Sequence, residues 1–493
     1  MTIQNRSNAI RAMKILWTLL LMPPIALSQS APVPNYFFGI NHTGSSSAWP
    51  LQVTYDNVRI WDTDAQWPSI ETAAGVYNYN PIDSILAAAY SQGKHGGGWW
   101  TGGPFPSWVP GGGGVKPPTD INADGSGTDA TWKTWITAFA RHVLNPTYLL
   151  THEKIEYWET FNEAFRSNSM ANYTSGFSNN GTFPQLVRMM EDMKCIVQGG
   201  TWTGGTISCS SAGIDPTVKM AMPAGDPRLA GTSGIGWIQN LLYCSGPTVR
   251  SPCTTGSAGA NAVDVIVVHA GSHNQYTPEQ YKTQIAKLRA VLETNELGKA
   301  LVCGECSWGQ LLSSGKLYGS TSGGANADAQ QAHVSRYLPI LLGTGTNKIN
   351  WYCYDCSSDG VLYNSGLTKG GIAYNYVVSW LKGGFYDTST ALTCKGSACG
   401  NSVPGGIWTF QFIEASGTPA EIVWDAGNGS WNVPTPGSCK NPQCGNTAFY
   451  AGMYSVDWKD VNGAVHAGGA TQIGAKAILL EALRTVQPAL QQD

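Results

Sequence analysis

The chain has 493 residues, a net charge of −3 and only 12% charged side chains. So sparse a charge, with no basic excess, excludes the cationic surface that a nucleic-acid backbone requires. Aromatic residues make up 11%, with 19 Trp and 21 Tyr, which suits a neutral, ring-shaped ligand stacked on aromatic faces and equally suits a large core that buries Trp.

Arg6, Arg11 and Lys14 precede the apolar run Ile15 to Leu21, and Ala26-Leu27-Ser28 offers a cleavage site. Residues 1–28 therefore read as a secretory signal peptide. The run is too short to span a bilayer, and no later stretch is apolar for long enough. The expected mature protein is secreted, extracellular or periplasmic, with no membrane partner, and monomeric. Its 12 cysteines fit that compartment. They fall in close pairs: Cys195/Cys209, Cys244/Cys253, Cys303/Cys306, Cys353/Cys356, Cys394/Cys399 and Cys439/Cys444. Short disulfide loops are the simplest reading. The pairs 303/306 and 353/356 also match a zinc pattern, and cross-pairing between them is a third option.

After the signal, Tyr36 to Asn41 and Val58 to Asp62 read as strands. Pro81 to Tyr90 has helix periodicity, with Gly93 just past its end. A third strand runs into the Gly/Pro-rich loop that carries Trp99, Trp100, Phe105 and Trp108. Thr131 to Leu144 is an amphipathic helix leading to the strand Ile155 to Phe161, which ends in Asn162-Glu163. Phe183 to Met193 is helical, with Cys195 to Gly199 as the next strand, and Ile235 to Tyr243 is helical again. Val263 to His269, Ala300 to Glu305 and Lys348 to Asp355 are strands. They alternate with helices at Pro278 to Thr294, Ala327 to Leu342 and Ile372 to Leu381. Eight strand–helix units predict an α/β fold, a (β/α)8 TIM barrel over residues 32–383. From residue 384 to 493 short strands lie between Gly, Pro and Ser turns, at Ile407 to Phe412, Ala420 to Trp424, Ala448 to Tyr450 and Ala475 to Leu480. That texture predicts a small C-terminal β-sandwich.

Glu163 and Glu305 each end a predicted barrel strand on the same face. An Asn-Glu pair alone could cap and open a helix. Two carboxyls at strand ends fit glycoside bond cleavage, where one protonates the leaving oxygen and the other attacks or activates water. Glu156, Glu159, Asp62 and Asp355 are the rival carboxylates. No cofactor is called for.

These residues resemble the clan of retaining glycoside hydrolases built on this barrel, over roughly residues 36–380. Phe161-Asn162-Glu163 matches the clan's acid/base at the fourth strand, and Gly304-Glu305 its nucleophile at the seventh. Arg59, His269 and Trp351 match its substrate-site positions on strands two, six and eight. The run Arg59-Ile60-Trp61-Asp62 through Trp67, Glu71, Gly75-Val76-Tyr77 and Ile82-Asp83 is most similar to glycoside hydrolase family 39 and its relatives. The sequence departs from the clan in having no Tyr after His269 until Tyr276, and in the cysteines that flank Glu305.

The resemblance implies a β-glycosidase acting by double displacement on a plant or microbial polysaccharide. Arg59 would then hold the Glu305 pKa down, while burial and the Glu305 charge would raise that of Glu163. Asn162 would bond the sugar 2-hydroxyl, and Trp351 would be a stacking platform. Trp108 and its loop suggest several subsites, hence endo action on xylan or β-glucan; exo action on short xylosides is the alternative. Arg59 could instead pair with Asp62, and His269 and Trp351 could be core residues. A non-catalytic sugar-binding barrel and a zinc hydrolase are the competing classes.

Overall fold

The computed structural model describes residues 31–42, 49, 51–111, 113–165, 180–205, 207–227, 234–243, 258–270, 277–307, 327–356, 361–395, 399, 405–426, 458–466 and 474–481. The segment 1–28, the pairs Cys244/Cys253 and Cys439/Cys444, and Ala448 to Tyr450 lie outside them.

Eight parallel strands close a barrel: β1 Phe38–Asn41, β2 Asn57–Ile60, β3 Gly98–Thr101, β4 Ile155–Glu159, β5 Lys219–Ala221, β6 Val265–Ala270, β7 Ala300–Cys306 and β8 Lys348–Trp351. Each pairs with its sequence neighbour, and β8 returns to β1 through Ile349–Phe38 and Trp351–Ile40. The longer helices are α1 Asn80–Ser91, α2 Ala130–Val143, α3 Phe183–Val197, α4 Ile235–Tyr243, α5 Pro278–Arg289, α6 Ala327–Gly343 and α7 Lys369–Leu381. Each follows one strand from β2 to β8. No helix is described between β1 and β2, so the first strand–helix unit is not complete among the described residues.

Local chemistry sets these elements. Helix α3 starts with a capping box: Gln185 N donates to Thr182 Oγ1, and Thr182 N donates to Gln185 Oε1. Alternation along β3 turns Trp99 inward, stacked 5.1 Å from Tyr157, and Trp100 outward onto Phe139 of α2. Both indoles are fully buried.

The fifth strand differs from the sequence expectation. Cys195 to Val197 belong to α3, and Cys195 is bonded to Cys209 of a short hairpin formed by Gly200–Thr203 and Ser208–Ser211. The barrel strand is instead Lys219–Ala221, paired with Tyr157 to Glu159 of β4. Only three residues long, it lacks the apolar run that marks a buried strand.

The C-terminal region forms an antiparallel sheet from β9 Phe385–Tyr386, β10 Leu392–Lys395, β11 Ile407–Ile413, β12 Pro419–Asp425, β13 Trp458–Lys459, β14 Val465–His466 and β15 Ile478–Glu481. The N-terminal pair Ala31–Pro32 adds to its edge beside β9. The sheet docks on the barrel's helices, where Trp424 Nε1 donates to Glu279 Oε1 of α5 at 2.9 Å. No helix among the described residues is long and apolar enough to cross a membrane.

Disulfides join Cys195–Cys209, Cys303–Cys306, Cys353–Cys356 and Cys394–Cys399. The two CxxC motifs thus pair internally. With eight of 12 cysteines engaged, thiol titration of the unfolded, unreduced protein is expected to find four free thiols at most. Finding eight or more would remove this covalent frame.

Candidate active site

The site is built around the guanidinium of Arg59, on β2, which is fully buried. Its Nη1 donates to Glu305 Oε1 at 2.7 Å and to Asn41 Oδ1 at 3.1 Å. Its Nη2 donates to Glu159 Oε2 at 2.9 Å and to Asn162 Oδ1 at 2.7 Å. Arg59 does not pair with Asp62 in this arrangement. Asn41, at the end of β1, extends the network by donating to the carbonyls of Gly304 and Asn350. Glu159, at 0% exposure, also accepts from Trp99 Nε1, Thr101 Oγ1 and Ala224 N. A carboxylate so completely bonded is a structural anchor for Arg59, not a reacting group.

Glu163 and Glu305 are both nearly buried, at 7% and 8% exposure. His269 Nδ1 lies between them, 3.0 Å from Glu163 Oε1 and 3.5 Å from Glu305 Oε2. Donor atoms of the three residues all lie within 4.8 Å of one another. That spacing could also suit a metal ion. Arg59, already 2.7 Å from Glu305, opposes a second cation there.

Two local devices aim the carboxylates. Glu163 has φ +44°, a left-handed conformation that costs a non-glycine residue of the order of 1–3 kcal/mol. The chain before it is held tightly. Phe161 packs 5.5 Å from Phe105, and a Cβ on Gly103 would meet the Phe161 ring at 2.7 Å. The glycines of the third loop thus permit it to press on the end of β4. Glu305 sits at a bulge in β7: Cys303 pairs with Val268, yet Glu305 pairs with His269. A Cβ on Gly304 would meet His269 Nε2 at 2.9 Å, so glycine lets the imidazole lie against the backbone beside Glu305. The Cys303–Cys306 disulfide spans the bulge.

Burial pushes the Glu305 pKa up to about 6, with repulsion from Glu163 and Asp62 adding to it and His269 and Arg59 opposing it. The sequence expectation that Arg59 holds this group low is corrected: removal from water outweighs the guanidinium. Asp62 is likewise raised, chiefly by burial.

Arg59, Asn162, Glu163, His269 and Glu305 therefore come together. Trp351 does not join them. At 0% exposure, it packs against Tyr337 of α6 and Tyr374 of α7, between barrel and helices. Trp108 donates from Nε1 to the Glu71 carbonyl and packs edge-on against Trp67, which stacks on Trp135. It belongs to an aromatic wall rather than to the carboxylate pair. The sequence reading missed Tyr352. It follows Trp351 with the opposite facing, is half-buried, and its hydroxyl donates to Asp62 Oδ2. Strand alternation puts the two rings on opposite faces without saying which face is the inner one. Asp355 bonds His42 Nδ1 at 3.1 Å.

No protein-family model matches the chain, and no curated protein matches it in sequence. Solved structures do match in fold. A family 39 glycoside hydrolase from the gut symbiont Bacteroides cellulosilyticus superposes with a TM-score of 0.57 at 14% identity, over 91% of this chain and 81% of that one. A GH51 arabinofuranosidase from Xanthomonas axonopodis pv. citri gives 0.52 at 11% identity, over 92% and 98%. A glucosidase from Croceicoccus marinus gives 0.51 at 12% identity, over 91% and 84%.

Arg59→Met would leave Glu159 buried without its counter-charge. A loss of about 3–5 kcal/mol in stability is expected from denaturant unfolding, because one buried charge loses its partner. Arg59→Met combined with Glu159→Gln should recover part of that loss. A single variant as stable as the wild type would mean that the guanidinium does not organise the barrel mouth.

Proposed function

We propose that the chain is an exported retaining glycosidase that hydrolyses β-glycosidic bonds in plant or microbial carbohydrate. The observation that carries the reading is the pair Glu163, just past β4, and Glu305, near the end of β7, with a carboxyl oxygen of each within 4.8 Å of the other. Retaining enzymes hold their two carboxyls about 5–5.5 Å apart, whereas inverting ones leave about 6.5–9.5 Å for a water. The fold neighbours support glycoside chemistry in general. Their named substrates differ, so they favour no particular sugar.

Glu163 is the acid/base. It gives its proton to the glycosidic oxygen as Glu305 attacks the anomeric carbon, the C–O bond breaks and the alcohol leaves. Water then attacks the glycosyl ester, Glu163 takes its proton, and Glu305 departs as carboxylate. Asn162 has its Oδ1 tied to Arg59, so its amide nitrogen is the edge left to meet a sugar hydroxyl. Arg59 and His269 stabilise the Glu305 carboxylate at departure. Endo action rested on Trp108 and its loop. Trp108 now belongs to the aromatic wall, and product analysis on xylan and β-glucan decides between endo and exo cleavage.

The test is a comparison of two variants. Glu305→Gly should lose activity on every substrate, and azide should restore turnover as an α-glycosyl azide. Glu163→Gln should keep most of its first-step rate on a dinitrophenyl glycoside, which needs little protonation, and accumulate the glycosyl-enzyme. Azide should release it as the β-azide. Swapped products would reverse the roles, and wild-type rates in both variants would move the chemistry elsewhere.

The pH profile follows from Glu305, which attacks only when ionised. With its pKa pushed up to about 6, kcat/KM should fall on the acid side with an apparent midpoint near that value. Stability moves the other way. A carboxyl raised above its ordinary 4.5 stabilises the fold fully below that value and loses the contribution as pH rises through about 6. An acid limb below pH 4 would contradict this account of the nucleophile.

A further inference from the structure

Between Cys303 and Cys306 strand β7 advances three residues while both of its neighbours advance two. Cys303 pairs with Val268 and Cys306 with Ala270 on β6, and the same two residues pair with Ile349 and Trp351 on β8. The Cα atoms of the two cysteines are 5.7 Å apart, where three steps of extended strand would cover about 10 Å. One extra residue is thus folded into the ladder on both sides, within the segment that carries Glu305. Resting on the glycosidase reading, we infer that the Cys303–Cys306 bridge is the positioning element of the nucleophile, so that the site is complete only when the two cysteines are oxidised.

Strand phase carries the inference. In an unbroken strand residues 303 and 305 share one face and 306 takes the other. Cys306 Sγ accepts from Tyr337 Oη at 3.5 Å, so it lies toward α6, on the helix side. Cys303 Sγ is bonded to it and lies there too. Regular alternation would then send Glu305 outward with Cys303. Its carboxyl instead enters the barrel, 2.7 Å from Arg59 Nη1 and 3.5 Å from His269 Nδ1. The bridge makes two residues three apart share a face, and a bulge between them is what allows it. Arg59 and Asn41 hold the same segment from the inside, through Glu305 Oε1 and the Gly304 carbonyl. The bridge ties it from the outside.

Closing the bridge joins Cys303 Sγ to Cys306 Sγ, and the two thiols give up two protons and two electrons. A disulfide such as glutathione disulfide accepts them, breaks its own S–S bond and leaves as two thiols. Where thiols are kept reduced the bridge does not persist. Strand β7 is then free to return to even alternation, which turns the Glu305 carboxyl away from Glu163. The chain is inactive as reduced polypeptide and gains its site on oxidation.

The experiment compares the wild type with two double variants. Cys303→Ala/Cys306→Ala opens the bridge at Glu305. Cys195→Ala/Cys209→Ala opens the one that ties α3 to its hairpin, away from the pocket. Folding is checked by circular dichroism, and kcat and KM are measured across pH on nitrophenyl β-glucoside and β-xyloside. Cys303→Ala/Cys306→Ala should keep its KM and lose about 100-fold in kcat, the scale of a reacting group misplaced by roughly 1 Å. Its acid limb should move from about 6 toward 4.5, because a carboxyl released from the bulge regains water. Cys195→Ala/Cys209→Ala should unfold more easily and keep both kcat and the limb. A second arm needs no substitution and keeps the test open if the first variant does not fold. Wild type is held in dithiothreitol with sub-denaturing urea, and activity is followed while mass spectrometry identifies the alkylated cysteines. Activity should fall in step with the opening of Cys303–Cys306 and return with glutathione disulfide. A folded Cys303→Ala/Cys306→Ala with wild-type kcat and acid limb overturns the inference and leaves the glycosidase reading intact. So does a wild type that stays active with both thiols open to alkylation. Cleavage of no glycoside by the oxidised wild type removes the glycosidase reading, and this inference with it.

Discussion

The buried guanidinium of Arg59 is the interaction on which the barrel mouth depends. A fixed charge in a dry interior is tolerable only when its donors are met. Here Nη1 and Nη2 meet side chains from β1 and β7 and from β4 and the residues just past it. The same four contacts join strands that are far apart in sequence, through Asn41, Glu159, Asn162 and Glu305. Burial alone would weaken the hold of Arg59 on its proton, but Glu159 and Glu305 more than offset that, while burial raises the pKa of Glu305. One side of the network, Glu159, is fully enclosed and anchors the cation. The other, Glu305, remains at the edge of the cavity, where it keeps an oxygen beside His269.

Backbone geometry completes what charge begins. Glu163 points into the pocket because its residue is held in a left-handed conformation, and the loop glycines 102 and 103 crowd Thr160 and Phe161 from the other side. Glu305 is turned by a bulge that lets two residues oppose one on the neighbouring strand. His269 then fits between the carboxyls only because position 304 carries no side chain. Each of the two carboxyls thus owes its aim to a local irregularity at the end of an otherwise regular strand.

Much of this was legible in the sequence for a definite reason. The strands ending in Glu163 and Glu305 have apolar runs with a carboxyl at the boundary, and the helices between them carry clear periodicity and punctuation. The phase at the end of β8 was not legible. Asn350-Trp351-Tyr352-Cys353-Tyr354 has aromatic residues on both faces, so composition alone does not say which ring enters the pocket. Trp351 faces the helices, and Tyr352 is the ring beside Asp62. The fifth strand was hidden for the opposite reason, since Lys219-Met220-Ala221 is too short to show a pattern. Nothing in the spacing marked Asp62 and Tyr352 as partners, because they meet only when the barrel closes β8 back toward β2 through β1.

The disulfide that encloses the β7 bulge also bears on running the reaction in reverse. Substituting Glu305 by glycine would place two glycines in succession, at 304 and 305, which ordinarily loosens a backbone. The Cys303–Cys306 bridge encloses both positions, and a closed loop restricts the freedom that the extra glycine would add. The pocket would keep its shape with the Glu305 carboxyl removed and Glu163 still in place. On the proposed glycosidase reading, an activated glycosyl fluoride of inverted configuration would occupy the vacated space, and an acceptor alcohol would attack its anomeric carbon as Glu163 takes the hydroxyl proton and the C–F bond breaks to release fluoride. On the same reading, with no carboxylate left to attack the product, the pocket would make glycosidic bonds instead of breaking them.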